Sequence, residues 1–314
     1  MNKEDLSAAV RQLCQEKNAI IMAHYYTRPE IQDVADFIGD SLALAQQATR
    51  VDADIIVMCG VHFMGETMKI LCPEKKVLVP DLTAGCSLAD SCRAEDLEQF
   101  ITKHAEEKPM VVSYVNTSAA VKALTDVVVT SSNAKHIVDQ LPKDAKIIFG
   151  PDKNLGSYIN SVTGREMLLW DGACHVHSRF SLEALLELKK QYPDAPVLAH
   201  PECKALILTQ ADKIGSTKAL LEYTKTSPAE RFIIVTESGI LHEMQKACPD
   251  KEFIPVPPET TESVGCHCNE CEYMRLNTLE KLYVCLKNEM PEIEVDAQIA
   301  KKAVLPIQRM LEMS

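Results

Sequence analysis

Short apolar runs recur along this chain and alternate with segments of helical periodicity. Three of the runs, AIIMAHYY, MVVSYVN and PVLAHPE, begin near residues 19, 110 and 196 and lie about 90 residues apart. Each is followed by a second apolar run (ADIIVMCG, AKIIFGP and RFIIVTE) and a third (KVLVP, MLLW and EFIPV). Because strands that alternate with helices form parallel sheets covered on both faces, the pattern predicts an α/β protein of three three-layer α/β/α units with short parallel sheets.

The repeat also predicts the domain organisation. We assign residues 1–90, 91–178 and 179–314 to three units, and the last unit carries a C-terminal helical tail. Helical segments precede the first strand of each copy: LSAAVRQLCQE, EDLEQFITKHAEE and SLEALLELKKQ. No Gly/Ser-rich or Pro-rich linker separates the copies, so we expect them to pack tightly around a pseudo-threefold axis.

Polar side chains follow each of the first apolar runs, where the predicted strands end. They are His24, Tyr25 and Tyr26 in the first copy, Tyr114 and Asn116 in the second, and His200 and Glu202 in the third. A hydroxyl residue stands seventeen positions beyond the first member of each cluster, at the start of a helical segment: Ser41, Ser131 and Thr217. We expect each hydroxyl to cap its helix, and burial would raise the pKa of Glu202. Parallel α/β units bind ligands beyond the carboxyl ends of their strands, so the three matching copies predict one shared pocket rather than three isolated polar tips.

Cysteines follow the third apolar run of each copy. They are Cys86, Cys174 and one of the group Cys266, Cys268 and Cys271. Without an export signal, the twelve cysteines of the chain are better interpreted as metal ligands or core residues than as disulfides. Three converging thiolates suit a cuboidal iron–sulfur cluster, bound at the junction of the units, in which one iron stays open. An open iron is a Lewis acid that can help an oxygen leave as water.

The cysteines and strand-end residues allow other interpretations. Cys14, Cys59, Cys72, Cys203 and Cys248 fit the apolar core. The segment CHCNEC suggests zinc, but a closed tetrahedral site needs a second close pair of ligands that the sequence lacks. Two further functions are an iron–sulfur hydro-lyase acting on another small hydroxy acid and a non-catalytic sensor of metal or redox state. The strand-end His, Tyr and Glu side chains favour an enzyme, because a sensor has no need of them.

Charge and hydropathy exclude other classes of function. The net charge is −12, with 45 acidic and 33 basic side chains, which argues against binding to a nucleic-acid backbone. No stretch approaches the ~18 apolar residues of a membrane span, and the N-terminus lacks a secretion signal, so we expect a cytoplasmic protein that does not bind membranes. An anionic substrate would have to be held by helix N-termini, hydroxyls and histidines.

The motifs taken together resemble the quinolinate synthase family over residues from about Ile20 to Leu279. They are AHYYTRPEIQDVADFIGDS, CGVHFMGETMKIL, AGCSLADSC, YVNTSAAVKALTD, GPDKNLG, WDGACHVH and HPEC, in the order of that family. The resemblance implies three pseudo-symmetric α/β/α domains around one 4Fe-4S cluster with three cysteine ligands and one open iron. It implies Cys86, Cys174 and Cys271 as ligands, although Glu272 stands where many members of the family have proline.

The resemblance also implies a reaction and roles for the strand-end residues. Iminoaspartate (iminosuccinate) would condense with dihydroxyacetone phosphate to give quinolinate, phosphate and two waters, and an L-aspartate oxidase would be the functional partner that supplies the imine. Tyr26 and Glu202 would transfer protons, Tyr114 and His200 would orient or assist, and His177 would lie beside the cluster. The substrate pocket would contain His24, Ser41, Tyr114, Asn116, Ser131, His200, Glu202 and Thr217.

Overall fold

Three separate four-stranded sheets form the framework of the computed structural model, which describes residues 2–259 and 269–314. Every strand pairing within these sheets is parallel, and helices connect successive strands. In each sheet the order is the second strand of the unit, then the first, the third and the fourth. The predicted α/β fold class with three α/β/α units is therefore confirmed.

The elements follow the same order three times. The first unit contains α1 (Lys3–Glu16), β1 (Ala19–His24), α2 (Pro29–Val34), β2 (Phe37–Gly39), α3 (Ser41–Ala48), β3 (Ile55–Cys59), α4 (His62–Leu71), β4 (Lys76–Leu78) and α5 (Ser87–Asp90). The second contains α6 (Ala94–Lys103), β5 (Met110–Tyr114), α7 (Ala119–Lys122), β6 (Val127–Val129), α8 (Ala134–Gln140), β7 (Ile147–Phe149), α9 (Lys153–Thr163) and β8 (Leu168–Leu169). The third contains α10 (Leu182–Gln191), β9 (Val197–Ala199), α11 (Ala205–Leu208), β10 (Lys213–Ile214), α12 (Thr217–Thr226), β11 (Arg231–Val235), α13 (Ile240–Ala247) and β12 (Glu252–Pro255). The tail contains α14 (Leu279–Asn288) and α15 (Ala297–Glu312).

One edge strand in each unit does not follow from the hydrophobic pattern. The sequence predicts three strands per unit, whereas β2, β6 and β10 add a fourth that pairs with the first. These strands are only two or three residues long, which is too short for a period-2 pattern to stand out. They explain the seventeen-residue spacing, because one short crossover helix and one edge strand separate the first strand end from each hydroxyl.

An aspartate before each edge strand fixes its register in the same way three times. The Oδ2 atoms of Asp36, Asp126 and Asp212 accept the backbone N–H of Ile21, Val111 and Val197 at 2.7, 2.7 and 2.8 Å. The backbone N–H of each aspartate in turn donates to the carbonyl of the same strand residue. This reciprocal pair binds the edge strand to the first strand and is independent support for the internal repeat.

The C-terminal tail packs against the first two units. Helix α14 packs against α1, and its Leu282 and Leu286 lie in the same apolar cluster as Leu6 and Val10. Helix α15 packs against α4, α7 and β6. The tail therefore joins units one and two, while the domain boundaries at residues 90 and 178 stay a prediction. Within the described ranges, no helix combines the length and apolar character needed to cross a membrane.

Candidate active site and cysteine centre

One cavity collects the side chains that follow the strand ends of all three sheets. Its lining includes every predicted site residue: His24, Tyr26, Ser41, Cys86, Tyr114, Asn116, Ser131, Cys174, His177, His200, Glu202, Thr217 and Cys271. The structure therefore brings together residues that the sequence places in three separate copies. Cys266 and Cys268, the other candidates for the third metal ligand, lie outside the described residues.

The three predicted capping hydroxyls line this cavity, but they do not cap their helices. Ser41 and Thr217 are the first residues of α3 and α12, and the capping side chains are those of Asp40 and Ser216. Ser131 lies in the turn before α8. The prediction of capping is therefore wrong. Because the cap positions are filled by other residues, the hydroxyls of Ser41 and Thr217 are not needed there and remain available to the cavity.

Glu202 is bound from two sides by side chains of the cavity. Its Oε1 accepts a hydrogen bond from the Tyr114 hydroxyl at 2.5 Å, and its Oε2 lies 2.9 Å from His177 Nδ1. Burial acts to raise the pKa of Glu202, but His200, His177 and the hydrogen bonds from His177 and Tyr114 outweigh burial and lower it to about 2. The expectation that the pKa of Glu202 is raised is therefore wrong, because its partners outweigh burial, and the group is a carboxylate at neutral pH.

A chain of hydrogen bonds continues from His177 to Tyr26. The Thr236 hydroxyl lies 3.0 Å from His177 Nε2 and 2.8 Å from the Tyr26 hydroxyl, which in turn lies 2.6 Å from Thr217 Oγ1. Thr236 is only 1% exposed and was not predicted as a site residue. Together with the bonds of Glu202, these contacts join Tyr114 of the second unit to Tyr26 of the first through the third.

The two strand-end histidines are held in the neutral form. The Nδ1 atoms of His24 and His200 accept the backbone N–H of Tyr26 and Glu202, two residues further along, at 3.2 and 3.4 Å. Burial lowers the pKa of His24 to about 4 and that of His200 to about 3. An acceptor at Nδ1 places the imidazole proton on Nε2, which in His200 lies 3.2 Å from Ser131 Oγ. Both rings can therefore donate a hydrogen bond from Nε2.

The two tyrosines keep their phenol protons. Burial raises the pKa of Tyr26 and of Tyr114 well above the usual value for tyrosine. Protonated phenols, neutral imidazoles and one carboxylate form a set that can donate and accept protons without an exposed charge.

The three cysteines share one local geometry. Each stands just before a short helical turn: Cys86 before α5, Cys174 before the turn at His177–Arg179 and Cys271 before the turn at Met274–Leu276. Backbone N–H groups two or three residues further along interact with each sulfur: those of Leu88 and Ala89, of His177, and of Tyr273 and Met274. Burial raises the pKa of Cys86 to about 11 and that of Cys271 to about 12, whereas these N–H groups favour the thiolate.

This arrangement fits a metal centre bound by sulfur. The thiols of Cys86, Cys174 and Cys271 are not in disulfides. Beyond the dominant effect of burial, the charge of Cys86 also raises the pKa of Cys174 and of Cys271, as expected for sulfurs that approach one another. Ligand atoms of Cys174, His177 and Glu202 lie within 4.8 Å of one another, which makes this corner a possible metal site. The thiolates of the three cysteines are soft ligands, which suit an iron–sulfur centre.

Two further carboxylates lie behind the cysteines. The strand register pairs Ala23 with Cys59 in unit one and Ala199 with Val235 in unit three. Val61 and Glu237, each two residues further along, are therefore equivalent positions. The register of the second unit makes Asp152 the equivalent position there. Asp152 and Glu237 are both 0% exposed. Burial raises the pKa of both groups, whereas the backbone N–H groups that donate to their oxygens lower it and favour the carboxylate. Sequence reasoning missed both residues, although their shared position after the second strand of the unit was a visible signal.

Positive side chains are absent from the described part of the cavity wall, which contains no lysine or arginine. An anion in the cavity would meet hydroxyls, imidazoles and the first turns of α3 and α12. Free backbone N–H groups at a helix N-terminus favour negative charge. The lining therefore agrees with the expectation that helix N-termini, hydroxyls and histidines would hold an anionic substrate.

Comparison with known proteins identifies closely similar sequences. A family model described as quinolinate synthetase A protein matches residues 8–312. The chain is 55% identical over 314 residues to the quinolinate synthase of Chloroherpeton thalassium, which covers 100% of this chain and 96% of that protein. It is 56% identical over 310 residues to the quinolinate synthase of a Synechococcus species (99% and 95% covered) and 56% identical over 310 residues to that of Thermosynechococcus vestitus (99% and 96% covered).

Proposed function

Since the chain belongs to the quinolinate synthetase A protein family and is an enzyme of quinolinate synthesis in NAD biosynthesis, we propose that it condenses iminoaspartate (iminosuccinate) with dihydroxyacetone phosphate. The products are quinolinate, phosphate and two waters. One C–N bond and one C–C bond form while phosphate and water leave, so the atoms balance without an external oxidant. The proposal rests on one observation: strand-end side chains and cysteines from all three units line a single buried cavity.

The hydrogen-bonded chain between Tyr114 and Tyr26 supports the assignment of proton transfer. Glu202 is the only ionised carboxylate within hydrogen-bond reach of both Tyr114 and His177 among the described residues, and it is our candidate for the general base. Tyr26, a buried phenol held by Thr217 and Thr236, is our candidate for the general acid. Loss of water and formation of a carbon–carbon bond next to a carbonyl both require protons to move at fixed positions.

Tyr114 and His200 act as orienting groups in this proposal. Tyr114 donates to Glu202 and fixes its carboxylate, while His200 stacks on His177 with ring centroids 4.4 Å apart. His24, Asn116 and the hydroxyls of Ser41, Ser131 and Thr217 then bind the substrate. Both substrates are anions, so hydroxyl donors and helix N-termini provide neutral partners for carboxylate and phosphate oxygens.

Cys86, Cys174 and Cys271 are the proposed ligands of one 4Fe-4S cluster. Three cysteine ligands would leave one iron of the cluster without a cysteine, and that iron would supply Lewis-acid chemistry for the loss of water. His177 lies beside it, because its Nδ1 is 3.3 Å from Cys174 Sγ. We further propose that the enzyme works in the cytoplasm and receives its unstable imine from an L-aspartate oxidase.

Anaerobic purification with iron, sulfide and zinc analysis tests the cofactor. We expect about four irons and four sulfides per chain in the parent, and loss of both in Cys86→Ser, Cys174→Ser and Cys271→Ser. Cys248→Ser is the matched control, because Cys248 is buried away from the cavity. Zinc without sulfide would overturn the cluster, and an intact cluster in Cys271→Ser would move the third ligand elsewhere. Quinolinate formation from the two named substrates then tests the reaction.

A further inference from the structure

A main-chain contact ties the cysteine loop of every unit to the turn after its second long strand. The backbone N–H groups of His62, Lys153 and Ser238 donate to the carbonyls of Ala84, Gly172 and Asn269 at 2.7, 2.8 and 3.2 Å. Each donor follows the equivalent position Val61, Asp152 or Glu237, and each acceptor stands two residues before Cys86, Cys174 or Cys271. The same two loops are therefore joined in the same way three times.

In units two and three, a carboxylate adds a second tie directly to the cysteine. Asp152 Oδ2 accepts the backbone N–H of Cys174 at 2.7 Å, and Glu237 Oε1 accepts that of Cys271 at 3.0 Å. In unit one the equivalent residue is Val61, whose apolar side chain cannot accept a hydrogen bond. Two cysteines are therefore held by a buried side chain, and Cys86 is not held in this way.

The other oxygen of each carboxylate is fixed to its own loop. Asp152 Oδ1 accepts from the backbone N–H of Asn154 and Leu155 at 2.7 and 2.9 Å. Glu237 Oε2 accepts from the backbone N–H of Gly239 at 2.6 Å. Each carboxylate thus bridges two segments of main chain through two oxygens that both act as acceptors. An amide in its place offers one acceptor and one NH₂ group, and the NH₂ group would face a backbone N–H.

We propose that Asp152 and Glu237 are positioning residues that hold Cys174 and Cys271 in the geometry that binds the cluster. Both carboxylates are 0% exposed. If one of their hydrogen bonds is lost, water does not readily take its place, and the buried group that stays unpaired is costly. Partners that orient the ligands of a metal, without touching the metal, set how tightly it is held. Cys86, which has only the main-chain tie, is the ligand whose loop is least constrained. This inference rests on the proposed cluster.

Release of iron to a chelator from the anaerobic holoprotein tests the assignment. We expect Asp152→Asn and Glu237→Gln to lose iron about 10-fold faster than the parent, since loss of such a partner weakens metal binding by about 10–100-fold. The EPR spectrum of the reduced cluster should also change, because the sulfurs shift relative to the irons. Asp126→Asn is the matched control: it makes the same acid-to-amide change at an aspartate that accepts a backbone N–H at 2.7 Å, and Asp126 does not line the cavity.

Several outcomes separate this inference from the proposed cofactor. A parent protein without iron and sulfide overturns the cluster itself. A parent that binds the cluster, with both variants matching its release rate and spectrum, overturns only the positioning role, and so does equally fast release from Asp126→Asn. If an amide variant does not fold, Glu237→Asp replaces it, because the shorter carboxylate keeps its charge but does not span Gly239 and Cys271 together. Faster release from Glu237→Asp then supports the inference, and parental release overturns it.

Discussion

The hydroxyl of Thr236 lies 2.8 Å from the phenol oxygen of Tyr26, although Thr236 follows a strand of the third unit and Tyr26 follows a strand of the first. The same hydroxyl lies 3.0 Å from His177. One buried side chain outside the wall of the cavity therefore joins two residues of that wall.

Thr236→Val should lower kcat about 10-fold while the iron content is unchanged, because valine has the same shape but removes a hydrogen bond worth about 0.5–1.5 kcal/mol to each neighbour. Steady-state kinetics on the cluster-loaded protein measures the effect. Thr236→Ser should restore the rate, and Thr224→Val is the control, since its buried hydroxyl donates to the carbonyl of Leu221 at 2.7 Å and does not line the cavity. A parental rate in Thr236→Val would show that the link does not matter for turnover.

Glu202→Gln and Tyr26→Phe should keep the cluster and lose about 10²–10⁴-fold in turnover, as expected when a group that transfers protons is removed. Iron analysis and quinolinate formation, measured on the same preparations, separate the two effects. Tyr25→Phe is the control, because Tyr25 is also buried but does not line the cavity. Near-normal rates in both variants would contradict the assigned roles.

Gly239→Ala should destabilise the contact between the third unit and the first. A Cβ atom at Gly239 would stand 2.7 Å from Tyr26 Cα and 2.9 Å from the Tyr25 carbonyl oxygen, and backbone atoms cannot swing away. Overpacking of this kind costs about 1–3 kcal/mol, so the midpoint of thermal unfolding should fall. At Gly85 the nearest atom to an added Cβ is 3.7 Å away, and Gly85→Ala should unfold like the parent. Equal midpoints for the two variants would refute the close packing.

Mild acid should destabilise the fold through His24. The pKa of His24 is lowered by burial from 6.5 in the unfolded chain to about 4 in the folded protein, so the unfolded state takes up a proton first as the pH falls. Stability is therefore full above pH 6.5 and decreases toward pH 4, by about 2 kcal/mol at pH 5. Denaturant unfolding at pH 7 and pH 5 measures this loss.

The variant His24→Gln isolates the contribution of that residue, because it should show a smaller loss of stability between the two pH values than the parent. The substitution His136→Gln on the exposed face of α8 should leave the loss unchanged. An identical pH dependence in His24→Gln and the parent would rule out His24 as the source.

Much of the fold followed from sequence periodicity. The first and second apolar runs of each copy became central strands. Residues at the ends of those strands, such as His24, Tyr114 and His200, lie in one cavity because parallel strands end at the same edge of a sheet. The edge strands could not be predicted in this way, because Lys213–Ile214 is too short to show a period. The capping residues were also missed, since Asp40 and Ser216 each stand one position before the hydroxyl that drew attention.

The sequence by itself determined the threefold repeat, the strand-end polar clusters and the candidate cysteines, because these depend on spacing and residue type along one chain. Only the tertiary structure decided which side chains meet across units. Tyr26 contacts Thr236, and Tyr114 contacts Glu202, because residues from all three units meet around one cavity. The direction of the pKa shift of Glu202 was decided in the same way. Burial alone raises this pKa, whereas the partners that the tertiary structure brings to the carboxylate lower it.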